Sequence, residues 1–145
     1  MKYELVGLGH SPKVAILCPR IQPDEIIKHY GDLLSVTYPL MVCDLYQDRT
    51  KKKTSNEAIK EYLADLMPNL VNAGINFLIV TQPDYFKVLS KQAKTDASIG
   101  DIYPSIVDGI SVTYMPNYSR VFYDPEKTTA KIKIGINSVI RWMNG

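Results

Sequence analysis

Asn76-Phe77-Leu78-Ile79-Val80-Thr81-Gln82-Pro83-Asp84 decides the fold. Phe77 to Val80 is a continuous apolar run without polar alternation, the pattern of a strand buried on both faces of a parallel sheet. Pro83 then sits at the first turn of a helix expected to reach about Lys91, where its missing N–H has no helical partner to lose. Reading backward, Ile59, Tyr62, Leu63, Leu66, Leu70 and Val71 recur at helical spacing and form one apolar stripe. Thr54 and Glu57 have capping-box spacing ahead of that stripe. Asn72-Ala73-Gly74 closes it. Helix, buried strand and helix therefore follow one another.

The alternation continues outward in both directions. Lys13 to Cys18 is a second buried-type strand, stopped by Pro19. Pro23-Asp24-Glu25 opens a short helix with acids where the macrodipole favours them, and Gly31 is expected to end it. Ser35 to Cys43 is an extended segment bent at Pro39, followed by a polar loop from Asp44 to Lys53. Lys94 to Pro104 lacks a period and reads as a loop. Ile110 to Met115 alternates and is rich in β-formers, so it is a strand. Pro116 to Arg120 reads as a turn. Asp124-Pro125-Glu126 then starts the last helix, with a capping acid, proline in the first position and another acid behind it. Ile132, Ile136, Val139, Ile140 and Met143 make its buried stripe, flanked by Ala130, Ile134 and Trp142. These elements predict one α/β domain over residues 1–145: three layers, α/β/α, around a central, mostly parallel sheet of about four to five strands.

The 145 residues suit a single core, and 46% hydrophobic with 22% charged residues argues against disorder. No apolar run approaches the roughly 18 residues that cross a bilayer, and Met1 to Leu5 does not read as a secretory signal. A soluble, cytoplasmic domain is expected, with no membrane partner. Cys18 and Cys43 lie in apolar runs and read as free buried thiols. Two thiols cannot supply the four of an iron–sulfur cluster, and neither His10 nor His29 lies at zinc spacing from them, so no metal and no cofactor is expected. Gly7-Leu8-Gly9-His10 lacks the third glycine of a dinucleotide loop and precedes a strand instead of following one. Ser35, Ser90 and Ser105 have no nucleophile-elbow context. Asp24 with Glu25 could form a carboxylate pair, although a helix start is the commoner reason for acids there.

In open α/β sheets the binding crevice lies beyond the carboxyl ends of the strands. Among the loops at that edge, Pro116 to Tyr123 is chemically the richest, with an amide, two tyrosines, a phenylalanine and an arginine beside a helix start. Aromatic rings stack on bases, an asparagine can read a base edge, and helix-start N–H groups hold phosphate. Asn117, Tyr118 and Arg120 are the candidate DNA contacts. Phe122 reads as an apolar staple between helix and core, a role Tyr123 could share. Arg49, Lys51, Lys52 and Lys53 form a dense basic run, and Lys127, Lys131, Lys133 and Arg141 a second on the last helix. Each is either a phosphate-binding surface or a solvated face; the net charge of +2 does not choose.

The order of elements resembles the C-terminal half of the uracil-DNA glycosylase superfamily, in its compact form that carries an iron–sulfur cluster. The sharpest part is Thr113-Tyr114-Met115-Pro116-Asn117 followed by Asp124-Pro125 and a last helix. There the family has Thr-Tyr-His-Pro-Ser, a short aliphatic stretch, Asn-Pro and a terminal helix. Val14 to Glu25 falls where the family has a Gly-Glu-Ala-Pro-Gly loop, and Val42 to Arg49 where it has a polar strand end followed by arginine. The departures fall on the chemistry. Met115 replaces the motif histidine, Leu17-Cys18-Pro19-Arg20 has neither the acid nor the glycine of the first loop, and the cluster cysteines are absent. Cleaving a glycosidic bond needs a flipped base, support for the departing anion and a positioned water. Loss of one such donor typically costs on the order of 10² to 10³ in rate. Val121-Phe122-Tyr123-Asp124-Pro125-Glu126-Lys127 also resembles the glycosylase-like domains attached to bacteriophage family A DNA polymerases. The resemblance implies a non-catalytic module in phage DNA replication, working in an infected bacterial cell. It would bind DNA or a replication protein as part of, or beside, a DNA polymerase, and residues 1–145 would be one domain of a longer chain. Two alternatives stand beside it: an active glycosylase with substituted residues, and a pure protein-interaction domain.

Overall fold

The computed structural model describes residues 3–6, 13–18, 23–34, 40–44 and 55–144. Its elements run β1 (Tyr3–Val6), β2 (Val14–Cys18), α1 (Pro23–Leu34), β3 (Leu40–Asp44), α2 (Asn56–Asn72), β4 (Phe77–Val80), α3 (Pro83–Ser90), β5 (Tyr103–Pro104), β6 (Ser111–Tyr114) and α4 (Pro125–Asn144). The strands form one six-stranded sheet in the order β1-β3-β2-β4-β6-β5. Its four middle strands, β3, β2, β4 and β6, are parallel; β1 and β5 pair antiparallel at the two edges.

Alternation along the buried strands divides the core in two. Ala15, Leu17, Leu78 and Val80 point to the face covered by α2 and α3, where Leu63, Leu66 and Phe86 meet them. Val14, Ile16, Phe77 and Ile79 point to the face covered by α1 and α4, against Ile26, Tyr30 and Ile136. Phe77 also meets Trp142 with ring centroids 4.6 Å apart. The result is the expected three-layer α/β/α arrangement. Right-handed crossovers explain which helix covers which face: α1 carries the chain one way to β3, and after the reversal α2 and α3 carry it the other way to β4 and β6.

Several local expectations are corrected. The sheet has six strands, because β1, whose Tyr3-Glu4-Leu5-Val6 neither alternates strictly nor runs apolar throughout, and the two-residue β5 add antiparallel edges. Pro104 tolerates its place since an edge strand need not donate on both sides. Gly31 does not end α1: the helix continues to Leu34, and nothing lies within 4 Å of where a Cβ would stand on Gly31. The cap of α2 is Ser55 instead of Thr54, its Oγ accepting from the Ala58 N–H at 3.2 Å. Gly74 does close α2, with φ at 86° where a side chain would be strained. The segment expected to be loop from Lys94 to Pro104 also holds a 3-10 turn at Asp96–Ser98, and the turn after β6 is a 3-10 helix, Tyr118–Phe122.

Candidate nucleic-acid interface

Strand order reverses between β2 and β4, so the fold's default crevice lies at their carboxyl ends. Thr81, immediately after β4, is buried there and its Oγ1 donates to the Leu17 carbonyl at 2.6 Å. That bond ties the two strand ends together at the switch point.

One strand further along, β6 leads into Met115, Pro116, Asn117 and Tyr118, all buried. The Met115 N–H donates to the Val80 carbonyl at 3.2 Å, which continues the β4–β6 pairing by one residue. The Met115 side chain is fully buried against α4 at Gly135. A Cβ on Gly135 would stand 2.8 Å from the Met115 Cε and 3.0 Å from its Cβ, so the absent side chain is what lets helix and methionine meet. Tyr30 of α1 reaches across to donate its phenol to the Pro116 carbonyl at 3.0 Å. Burial pushes the Tyr30 phenol well above its ordinary pKa of 10.0, with Cys18 adding to the shift and a backbone hydrogen bond at Tyr118 opposing it. Tyr118 stacks on His29, centroids 5.7 Å apart and rings 6° from parallel, and meets Tyr30 edge-on. His29 Nε2 lies 3.2 Å from Glu25 Oε2, one turn back on α1. Asn117 donates its amide to Ser119 Oγ at 2.8 Å, while its buried Oδ1 has no partner.

The following residues turn outward. Arg120 is exposed, and Phe122 and Tyr123 are 93% and 90% exposed. The expected staple is thus corrected: the 3-10 helix Tyr118–Phe122 aims Phe122 into solvent, and Tyr118 holds the segment to the core instead. Arg120, Tyr123, Asp124, Lys127 and Lys131 gather around a pocket of about 210 Å³ that also touches Tyr114 and Pro116 at the end of β6. Lys127 and Lys131 share a helix face by their four-residue spacing. Asp124 Oδ1 accepts from the Lys127 N–H at 3.3 Å, as its capping role predicts. An anion in this pocket would therefore be met by side-chain cations more than by the helix end. The volume lies below the roughly 300–1,000 Å³ usual for small-molecule sites.

Of the residues expected to contact DNA, the structure gives Arg120 an exposed place at this pocket and puts Asn117 and Tyr118 in the interior behind it. Arg49, Lys51, Lys52 and Lys53 lie outside the described residues. The second basic set divides: Lys127 and Lys131 line the pocket, Lys133 lines a smaller one with Lys28 and His29 between α1 and α4, and Arg141 is exposed in the last turn of α4. Tyr123 and the convergence of Lys127 and Lys131 on Arg120 were missed as a site. The available signal was the spacing of those two lysines on a helix whose start was already legible. Among the described residues, no group of three or more His, Cys, Asp and Glu is placed to hold a metal ion, and no helix is long and apolar enough to cross a membrane. No protein-family model matches this chain, and no curated protein matches it.

Proposed function

We propose that this domain is a non-catalytic, uracil-DNA-glycosylase-like module that binds DNA in phage replication, as part of or beside a DNA polymerase. The observation that carries the reading is the gathering of Arg120, Lys127 and Lys131 at the carboxyl edge of the sheet, next to the exposed rings of Phe122 and Tyr123. Cations that track phosphates together with rings that stack on bases are the two ingredients of single-strand binding. Met115 supports the non-catalytic part: at the position of the family's histidine, a thioether buried against Gly135 offers no strong donor to a departing base.

Fluorescence anisotropy with a labelled single-stranded oligonucleotide tests this reading. Affinity should fall steeply with salt, and Arg120→Glu combined with Lys127→Glu should weaken it by at least about tenfold. Salt-independent binding, or an unchanged Kd in the double variant, would refute it. A strand-cleavage assay on uracil-containing DNA after alkali treatment should give no product. Cleavage abolished by Asn117→Ala would favour the active-glycosylase reading, which the unpartnered Asn117 Oδ1 motivates.

A further inference from the structure

On the sheet face covered by α2 and α3, α2 forms one wall of a cleft made of two adjoining cavities of different chemistry. Leu63, Met67, Pro68, Val71, Ile106 and Val107 surround an apolar section of about 500 Å³. Val71 and Ile106 are each 49% exposed, so two large aliphatic side chains on opposite walls stand open to water. Toward the start of α2 the second wall becomes α3. There Lys60, Lys87 and Lys91 face a section of about 370 Å³ with one carboxylate, Asp84, among them. Lys60 borders both sections, so they adjoin at that residue. Pro68 lies inside α2 and has no N–H for the carbonyl of Ala64, and both residues line the apolar section. The cleft thus combines an apolar floor with a rim whose charge is positive at one end only.

We infer that this cleft docks a segment of a partner protein that carries an apolar block followed by a block of acids. The apolar block would cover Val71 and Ile106, and the acids would meet Lys60, Lys87 and Lys91. Charge complementarity selects this occupant: a second copy would set lysines against lysines in one register and against the apolar section in the other, and the phosphates of a nucleic acid would gain nothing from the apolar section. The inference does not rest on DNA binding at the carboxyl edge, because the lining residues are different.

The probe is a fluorescein-labelled synthetic peptide with leucines in one half and glutamates in the other. Its control is an isomer of identical composition in which the two residue types alternate. The block peptide should bind at least about tenfold more tightly than the isomer, and its affinity should fall as salt is raised. Lys60→Glu with Lys87→Glu should weaken it by about tenfold or more, as should Val71→Asp, whereas Arg120→Glu with Lys127→Glu should leave it unchanged. If Val71→Asp lowers the Tm, Ile106→Asp on the facing wall makes the same test. Equal binding of the two isomers, or indifference to both aspartate variants, overturns the inference. So does DNA binding that disappears with Lys60→Glu and Lys87→Glu, or self-association in sedimentation that Val71→Asp abolishes. Loss of peptide binding with DNA binding intact separates this surface from the one at the carboxyl edge.

Discussion

The segment leaving β6 has two halves of opposite character. Tyr114 to Tyr118 is buried and tied to three other elements: to β4 through the Met115 N–H, to α4 through Gly135, and to α1 through Tyr30 and His29. Ser119, Arg120, Phe122 and Tyr123 are exposed and border or adjoin a cationic pocket. The difference teaches that proximity in sequence does not give shared work. The first half fixes where the chain goes, and only the second half is free to meet a ligand.

If that division is right, the largest effect on stability comes from the buried half. Met115→Ala should cost about 2–5 kcal/mol in urea unfolding, because it empties a well-packed site between sheet and helix. A cost below about 1 kcal/mol would mean that Gly135 closes on the gap. Next comes Tyr30→Phe, which strands the buried Pro116 carbonyl and should cost about 1–3 kcal/mol. It carries a pH signature as well. The folded state holds the Tyr30 proton above its ordinary pKa of 10.0, so this contribution is complete below that value and is lost as pH rises through the higher folded pKa. Wild-type stability should accordingly drop more steeply above about pH 10 than that of Tyr30→Phe; parallel profiles would break the link.

At the boundary between the halves, Asp124→Ala should cost about 0.5–2 kcal/mol by uncapping α4. Asp124→Asn keeps the capping geometry and removes a negative charge from the pocket, so it should tighten oligonucleotide binding several-fold with little change in Tm. Weaker binding in that variant would argue that the carboxylate itself contacts the ligand. The smallest stability effect belongs to the exposed half. Phe122→Ser and Tyr123→Ser should each stay within about 0.5 kcal/mol of wild type, while a stacked base would lose about 1–3 kcal/mol of binding. If either serine variant unfolds the domain, the division between the halves is wrong.

Much of the fold was legible because it rests on short-range rules. The apolar runs at Val14–Cys18 and Phe77–Val80, the stripe on α2 and the Asp124-Pro125 helix start each carry their own signal within a few residues. β1 and β5 were not legible, since Tyr3-Glu4-Leu5-Val6 is neither a continuous apolar run nor a strict alternation and β5 has only two residues. Gly31 misled because a helical glycine with open space beside it looks the same in sequence as a terminating one. The candidate site was legible only in part. Arg120 could be chosen from its type and its place after β6, but the same reasoning chose Tyr118, which is spent on His29 and Tyr30, and assigned Phe122 to a core that it does not touch.

Sequence alone determined the alternation of buried strands and amphipathic helices, and hence a parallel sheet covered on both faces, because burial on two sides leaves no polar alternation in the strands. Tertiary structure decided which aromatics are structural and which are free, that Lys127 and Lys131 share a pocket with Arg120, and that Val71 and Ile106 face one another across a cleft. Those outcomes depend on where helices land relative to strands distant in the chain, and on close approaches such as Met115 to Gly135 that no local pattern encodes.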